Sequence, residues 1–276
     1  MPAPGSISVV IRVRNEASAL RKVLRALAAQ QPKPTEILVI DNASSDDTRQ
    51  VAEQGGAKVF DLPRGEFTYG RALNLGIREA TGEFICILSA HSLPIGPDFL
   101  RNAAAPFANA KIAAVRCLSV TNRGELERWM TDTVVEWPVE IEKVISCAPM
   151  NAAALIRRSV WEEIPYDETL AGVEDKFWAW EVLQRGYCIS SSAAPFVYII
   201  DRGYRDQLRK LTRDREEFFR ITGRQWQEPV VSFTRLMQTL LYHIPRRAVR
   251  NALFETALYA NLKTIPYRAA RKVKIS

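Results

Sequence analysis

Apolar positions recur in two alternating rhythms along the first hundred residues. Ile7 to Val13 is a nearly continuous β-branched and apolar run, the mark of a strand covered on both faces. From Ala17 to Ala29 the apolar residues Leu20, Val23, Leu24 and Leu27 fall at helical spacing, and Pro32 and Pro34 end that helix. A second strand is expected at Glu36 to Ile40. The polar run from Asp41 to Thr48 follows, with serines and acids suited to a helix start. A short strand at Lys58 to Asp61, a helix around Arg71 to Ala80, a stop at Thr81-Gly82 and a strand at Phe84 to Leu88 complete the half. Strands separated by helices predict an α/β fold, a mostly parallel sheet with helices on both faces. Ligands of such sheets bind beyond the carboxyl ends of the strands, so the polar residues after each strand carry the interest.

Beyond Pro97 the pattern loosens. A helix is expected from Asp98 to Ala108 and strands at Ile112 to Ser119 and Ala152 to Ile156. Asn122 to Lys143 reads as a polar loop or helix over the site. Glu174-Asp175 opens a helix running to Arg185, and a strand at Val197 to Ile200 closes the compact part. From Arg205 onward amphipathic helices are broken by Gly223, Pro229, Pro245 and Pro266.

Charge separates these two regions. The chain has 276 residues and a formal net charge of +7, yet 17 Lys and Arg stand against 7 Asp and Glu from Asp201 onward. A near-neutral body therefore carries a basic tail, in which Arg246, Arg247, Arg250, Lys263, Arg268, Arg271, Lys272 and Lys274 interleave with leucines and aromatics. That pattern suits an anionic lipid surface, or equally a helical bundle with a basic solvated face. No nucleic-acid-binding signature accompanies it, so no nucleic-acid partner is expected. No apolar run approaches the roughly 18 residues of a membrane span, and the start lacks a signal-peptide pattern. The four cysteines lie far apart in apolar or small surroundings, which predicts buried free thiols in a reducing compartment. The expected location is cytoplasmic, peripheral on the inner face of the cell membrane.

Three segments could carry chemistry. Asp41, ending the second strand, can accept hydrogen bonds from a nucleotide, although its segment could equally do no more than cap a helix. Ser89-Ala90-His91 ends the fourth strand, and His91 there is balanced between a structural role and a metal ligand, better suited to manganese or zinc than to magnesium. Glu174-Asp175 is either a pair of helix-dipole partners or a source of a general base. Trp178 and Trp180 after it can offer faces to a sugar ring or join the core.

Together these segments resemble family 2 glycosyltransferases, whose catalytic domain has the GT-A fold. The resemblance rests on Ser8-Val9-Val10-Ile11-Arg12-Val13-Arg14-Asn15-Glu16, on Ile37 to Thr48, on Arg71-Ala72-Leu73-Asn74-Leu75-Gly76 with Ala80-Thr81-Gly82-Glu83, and on Gly172-Val173-Glu174-Asp175. It implies a catalytic domain at 1–204, with a nucleotide-sugar half at 1–95 and an acceptor half at 96–204, followed by a basic helical region at 205–276. It implies that Asp175 deprotonates the acceptor hydroxyl with Glu174 as alternative or helper, and that inversion occurs in a single displacement. Arg14, Asn15, Asp41, Arg71, Asn74, Ser89 and His91 would line the donor, and Trp178 the acceptor. The family's Asp-x-Asp is replaced by Ser89-Ala90-His91, so the implied metal, Mn(2+) before Mg(2+), would fall to His91 and Asp201, with Arg71 or Arg202 as an alternative source of charge. Arg12 stands where relatives have proline. The expected activity is sugar transfer from a nucleotide-sugar donor to a glycan or lipid-linked acceptor. The rival is a non-catalytic scaffold of a glycan assembly complex.

Overall fold

Alternation within one strand organises the sheet. In β1 (Ile7–Val13), Ile7, Val9, Ile11 and Val13 enter one core while Val10 enters another. Such two-sided burial needs helices on both faces, and the computed structural model, which describes residues 5–120, 134–141, 144, 148–199 and 204–224, supplies them. Helix α1 (Ala17–Ala28) lays Leu20, Val23, Leu24 and Leu27 on the first face. It is joined there by α2 (Thr48–Gln54) and α4 (Phe99–Ala104), the latter continued by a 3-10 turn over Ala105–Ala108. The second face carries α3 (Tyr69–Glu79), α5 (Arg158–Glu163) and α6 (Glu174–Gln184). Each fully buried Leu or Ile stabilises the fold by about 1.5–3 kcal/mol. Gly76 lets α3 lie flat on the sheet, because a side chain there would strike Val10 and Ile40.

The remaining strands are β2 (Glu36–Asp41), β3 (Lys58–Asp61), β4 (Phe84–Ser89), β5 (Ser92–Pro94), β6 (Ile112–Ser119), β7 (Val134–Val135), β8 (Ala153–Arg157) and β9 (Cys188–Tyr198). Their order is β3-β2-β1-β4-β8-β6-β9-β5, with β7 also on β9. The first four are parallel, as the sequence rhythm predicts. β8 then runs antiparallel to β4 and β6, so the sheet is mixed, and it is continuous across the two halves expected at 1–95 and 96–204. The strand expected at Val197–Ile200 is the end of a longer one that starts at Cys188. Its Ser190-Ser191-Ser192-Ala193 stretch gives no apolar signal, and its pairing with β6 shifts register beside Arg116.

At the amino ends of the strands Glu36 ties four segments together. Its carboxylate accepts from Ser8 Oγ (2.8 Å), from Thr81 N and Oγ1 (both 2.7 Å) and from Lys58 Nζ (2.8 Å). Burial works to raise its pKa, but these donors outweigh burial and bring it down to about 2. Cys86, Cys117 and Cys188 are buried and free, as expected; Cys147 lies outside the described residues.

Residues 5–170 and 174–199 make up one compact unit, and residues 171–173 and 204–224 belong to a second. In the second unit α7 (Tyr204–Thr222) carries helix-spaced ion pairs, Lys210–Asp214 at 2.8 Å and Glu217–Arg220 at 2.7 Å. Most of the expected lipid-facing tail, 225–276, and most of Asn122–Lys143 lie outside the described residues. Among the described residues no helix is long and apolar enough to cross a membrane.

Candidate active site

Two loops at the carboxyl edge lock onto each other. Val13 and Asp41 are register partners at the ends of β1 and β2. Asp41 is buried and accepts from the Ser44 backbone and hydroxyl. Asn15 reaches across from the β1 loop, its Oδ1 accepting from Ser45 N (2.7 Å) while its own N–H donates to Ser44 Oγ (2.9 Å). Asn15 (φ 52°) and Ala43 (φ 50°) both hold left-handed backbone, a strain that clusters where ligands bind. Asp46 and Thr48 continue the lock, taking the Ala17 and Glu16 backbone N–H groups respectively. Both acids therefore do local work: Asp46 takes the Ala17 and Thr48 N–H groups, and the buried Asp41 holds Ser44. Arg14 beside them is exposed.

Beyond β4, His91 is buried, and its Nδ1 lies 2.9 Å from the Glu16 carboxylate. A carboxylate accepts, so the imidazole donates from Nδ1, the arrangement that orients metal-ligating histidines through the other nitrogen. The Ile199 N–H donates to the His91 carbonyl at 3.0 Å, bringing the end of β9 alongside. Asp201, the second expected ligand, lies outside the described residues. Among the described residues no group of three His, Cys, Asp or Glu gathers as a metal centre. His91 fits as one ligand, and Ser89 adds no carboxylate.

Sequence reasoning left Arg12 without a role, although a lone charge inside an apolar strand was itself a signal. Arg12 shares the face of Val10 and is register partner to both Ile40 and Ser89. Its Nη2 donates to the Asn151 carbonyl (2.9 Å), Nη1 lies 3.8 Å from Glu174 Oε1, and the guanidinium covers the Tyr69 ring at 4.9 Å. Asn151 Nδ2 also donates to Glu174 Oε1 (3.1 Å), and Tyr166 Oη donates to Asn151 Oδ1 (3.2 Å). Burial raises the Glu174 pKa, and the neighbouring Asp175 charge adds to it, while Arg12 and Asn151 pull the other way. Tyr166 is pushed well up by the same burial and by both acids. Asp175, at the same helix head, keeps partial solvent access and lies 3.6 Å from Lys176 Nζ.

Two expected contacts sit elsewhere. Trp178, expected at the acceptor, is a core residue only 2% exposed, its indole N–H donating to the Ile164 carbonyl, because its helical position points it into the second core. Trp180 packs edge-on against the half-exposed Trp137 instead. Asn74 is enclosed by four internal hydrogen bonds. Its Nδ2 donates to the Tyr166 carbonyl (2.8 Å) and to Glu168 (3.0 Å), and its Oδ1 accepts from Trp161 Nε1 (2.9 Å) and Tyr166 N (3.1 Å). Arg71 is paired with Glu168 at 3.0 Å and lies 3.6 Å from Glu66.

A family model described as glycosyl transferase family 2 matches residues 8–163, more than half the chain. The chain belongs to glycosyl transferase family 2. This family 2 chain is 27% identical over 204 residues to the O-antigen chain rhamnosyltransferase RfbN of Salmonella typhimurium, covering 69% of this chain and 65% of the relative. It is 24% identical over 201 residues to the O-antigen chain rhamnosyltransferase WbaN of Salmonella anatum, covering 68% and 64%. The match thus spans just under two thirds of those relatives' length. Among solved structures, the mannosyltransferase PcManGT from Pyrobaculum calidifontis, in complex with GDP-Man and Mn2+, superposes with a TM-score of 0.63 at 20% identity, covering 100% of this chain and 77% of that one. S. aureus TarS 1-349 gives 0.58 at 17%, covering 94% and 91%. These likenesses establish the GT-A fold.

Proposed function

We propose that this chain is an inverting glycosyltransferase that moves a sugar from a nucleotide-sugar donor to a glycan or lipid-linked acceptor in surface polysaccharide assembly. One observation carries the reading: α6 delivers Glu174-Asp175 to the carboxyl edge of β1, the edge at which Asp41 and the Asn15 loop are locked. An acid pair and a nucleotide-type loop at one sheet edge suit a displacement at an anomeric carbon. The named relatives act on O-antigen chains, which supports the polysaccharide acceptor.

In this mechanism Asp41, Asn15 and Arg14 hold the nucleotide, with Arg71 and Ser89 near the diphosphate. The acceptor oxygen attacks the anomeric carbon as its proton passes to an Asp175 carboxylate oxygen, and the bond to the diphosphate breaks with its electron pair on the leaving phosphate. Glu174, enclosed by Asn151 and Arg12, helps from behind. His91 would be one ligand of a divalent ion, manganese before magnesium, whose chemistry when bound is positive charge against the diphosphate. The basic tail would rest on the anionic inner face of the membrane.

Calorimetric titration of UDP, GDP and dTDP, with and without Mn2+, tests the reading together with Asp175→Asn. One nucleotide should bind, and the variant should keep that binding while transfer falls by about 10²–10⁴-fold. Undiminished transfer would remove Asp175 from the chemistry; no binding of any nucleotide would leave a scaffold.

A further inference from the structure

The guanidinium of Arg12 is a charge that the sequence pattern does not explain. It sits on a strand whose other residues are all buried, and two of its nitrogens, Nε and Nη1, are buried without a hydrogen-bond partner. Arginines are placed in such positions for what they face. Three groups define that environment. The Tyr69 ring from α3 covers the plane of the guanidinium, the Asn151 carbonyl ahead of β8 takes Nη2, and the Glu174 carboxylate from α6 lies 3.8 Å from Nη1. Asn151 closes the circuit by holding both ends: its carbonyl takes Arg12, and its amide donates to Glu174.

The neighbour on the other side completes the picture. Ser89 on β4 is the register partner of Arg12, so the two side chains leave the sheet on the same face. A carboxylate at Ser89, such as the resemblance leads one to expect, would stand beside the guanidinium and compete with Glu174 for it. With serine there, Glu174 is the carboxylate that faces the guanidinium among the described residues. The two departures at positions 12 and 89 thus make one arrangement.

We propose that Arg12 is a positioning residue that anchors the head of α6 through Glu174 and Asn151, holding Asp175 where it meets the acceptor hydroxyl. The proposal rests on Asp175 being the base. Arg12 touches neither donor nor acceptor; it acts through Glu174. It supplies the positive charge that lets a second carboxylate stay buried next to Asp175, against the burial that raises the Glu174 pKa.

Four proteins test this: the full chain, Arg12→Met, Arg12→Lys, and the double variant Arg12→Met with Glu174→Gln. Turnover is read as nucleoside diphosphate release from whichever of UDP-glucose, GDP-mannose or dTDP-rhamnose the full chain accepts, nucleotide affinity by calorimetry, and folding by the thermal midpoint. Arg12→Met should lower kcat about tenfold or more, with the donor KM and nucleotide affinity within about twofold of the full chain. Its midpoint should fall, since it strands the Glu174 charge. Removing that charge in the double variant should recover the midpoint, and Arg12→Lys should lie between the full chain and Arg12→Met in both midpoint and kcat. A weakened nucleotide affinity in Arg12→Met would make the residue a donor contact and overturn the proposal. An unchanged kcat in Arg12→Met, or a double variant whose midpoint is no higher than that of the single one, would also overturn it by cutting the link to Glu174. If the full chain turns over no donor, the transferase reading fails first and the proposal with it, while the midpoints of the same four proteins still report on the contact between Arg12 and Glu174.

Discussion

Replacing Asn74 by alanine separates a ligand contact from a structural joint. The resemblance puts Asn74 near the donor, yet its carboxamide is only 3% exposed and makes four internal hydrogen bonds. Truncation would orphan the Tyr166 carbonyl, the Tyr166 N–H and the Trp161 indole N–H, all buried; Glu168 keeps Arg71. Each orphaned buried group costs about 1–3 kcal/mol, and partial relaxation keeps the sum nearer the low end, about 3–5 kcal/mol. With an m-value of about 3 kcal/mol/M in urea, the unfolding midpoint should drop by about 1–1.7 M. The assay is urea unfolding followed by circular dichroism, paired with calorimetric nucleotide titration at a temperature where the variant is folded. Binding should survive, weakened only as far as the 166–168 loop shifts. A midpoint within about 0.3 M of the unaltered chain, combined with lost nucleotide binding, would refute this and return Asn74 to the donor.

Acid titration should expose Glu36. Its folded pKa, about 2, lies below the ordinary 4.5, so its contribution is present above pH ~4.5 and disappears as pH falls toward 2. Glu36→Gln should flatten that part of the stability curve while costing about 1–3 kcal/mol at neutral pH, and an unchanged acid slope would count against the clamp. For the tail, flotation with vesicles containing phosphatidylserine should recover the full chain, and a chain cut after Gly223 should stay behind. Equal recovery of both would end the membrane proposal.

What could be read from the sequence was periodic. β1, α1, β2, β3 and β4 appear at nearly the expected residues because each has one dominant rhythm and a clear stop, such as Pro32 after α1 or Thr81-Gly82 after α3. β9 was largely missed because three serines and two alanines carry no rhythm; they are strand because β6 on one side and β5 and β7 on the other offer their hydrogen bonds. Trp178 shows the same limit from the other side. Its aromatic ring next to an acid pair suited a sugar, and only the direction in which α6 faces the sheet decides that it is core.

The Arg12 network shows why the site itself was harder to read than the fold. Arg12, Ser89, Asn151, Tyr166 and Glu174 are far apart in sequence and meet only through the register of β1 on β4 and the return of the chain through β8. No local spacing encodes that meeting. A charge inside a buried strand does encode that a partner must exist, since an unpaired guanidinium there would cost several kcal/mol, roughly the stability margin of a domain. Glu174 is therefore explained from both ends: the helix start needs an acid, and the strand beneath needs a counter-charge. Asp175 is then the member of the pair left with solvent access, and that difference between adjacent carboxylates is why the proposed mechanism gives the proton to Asp175 rather than to Glu174.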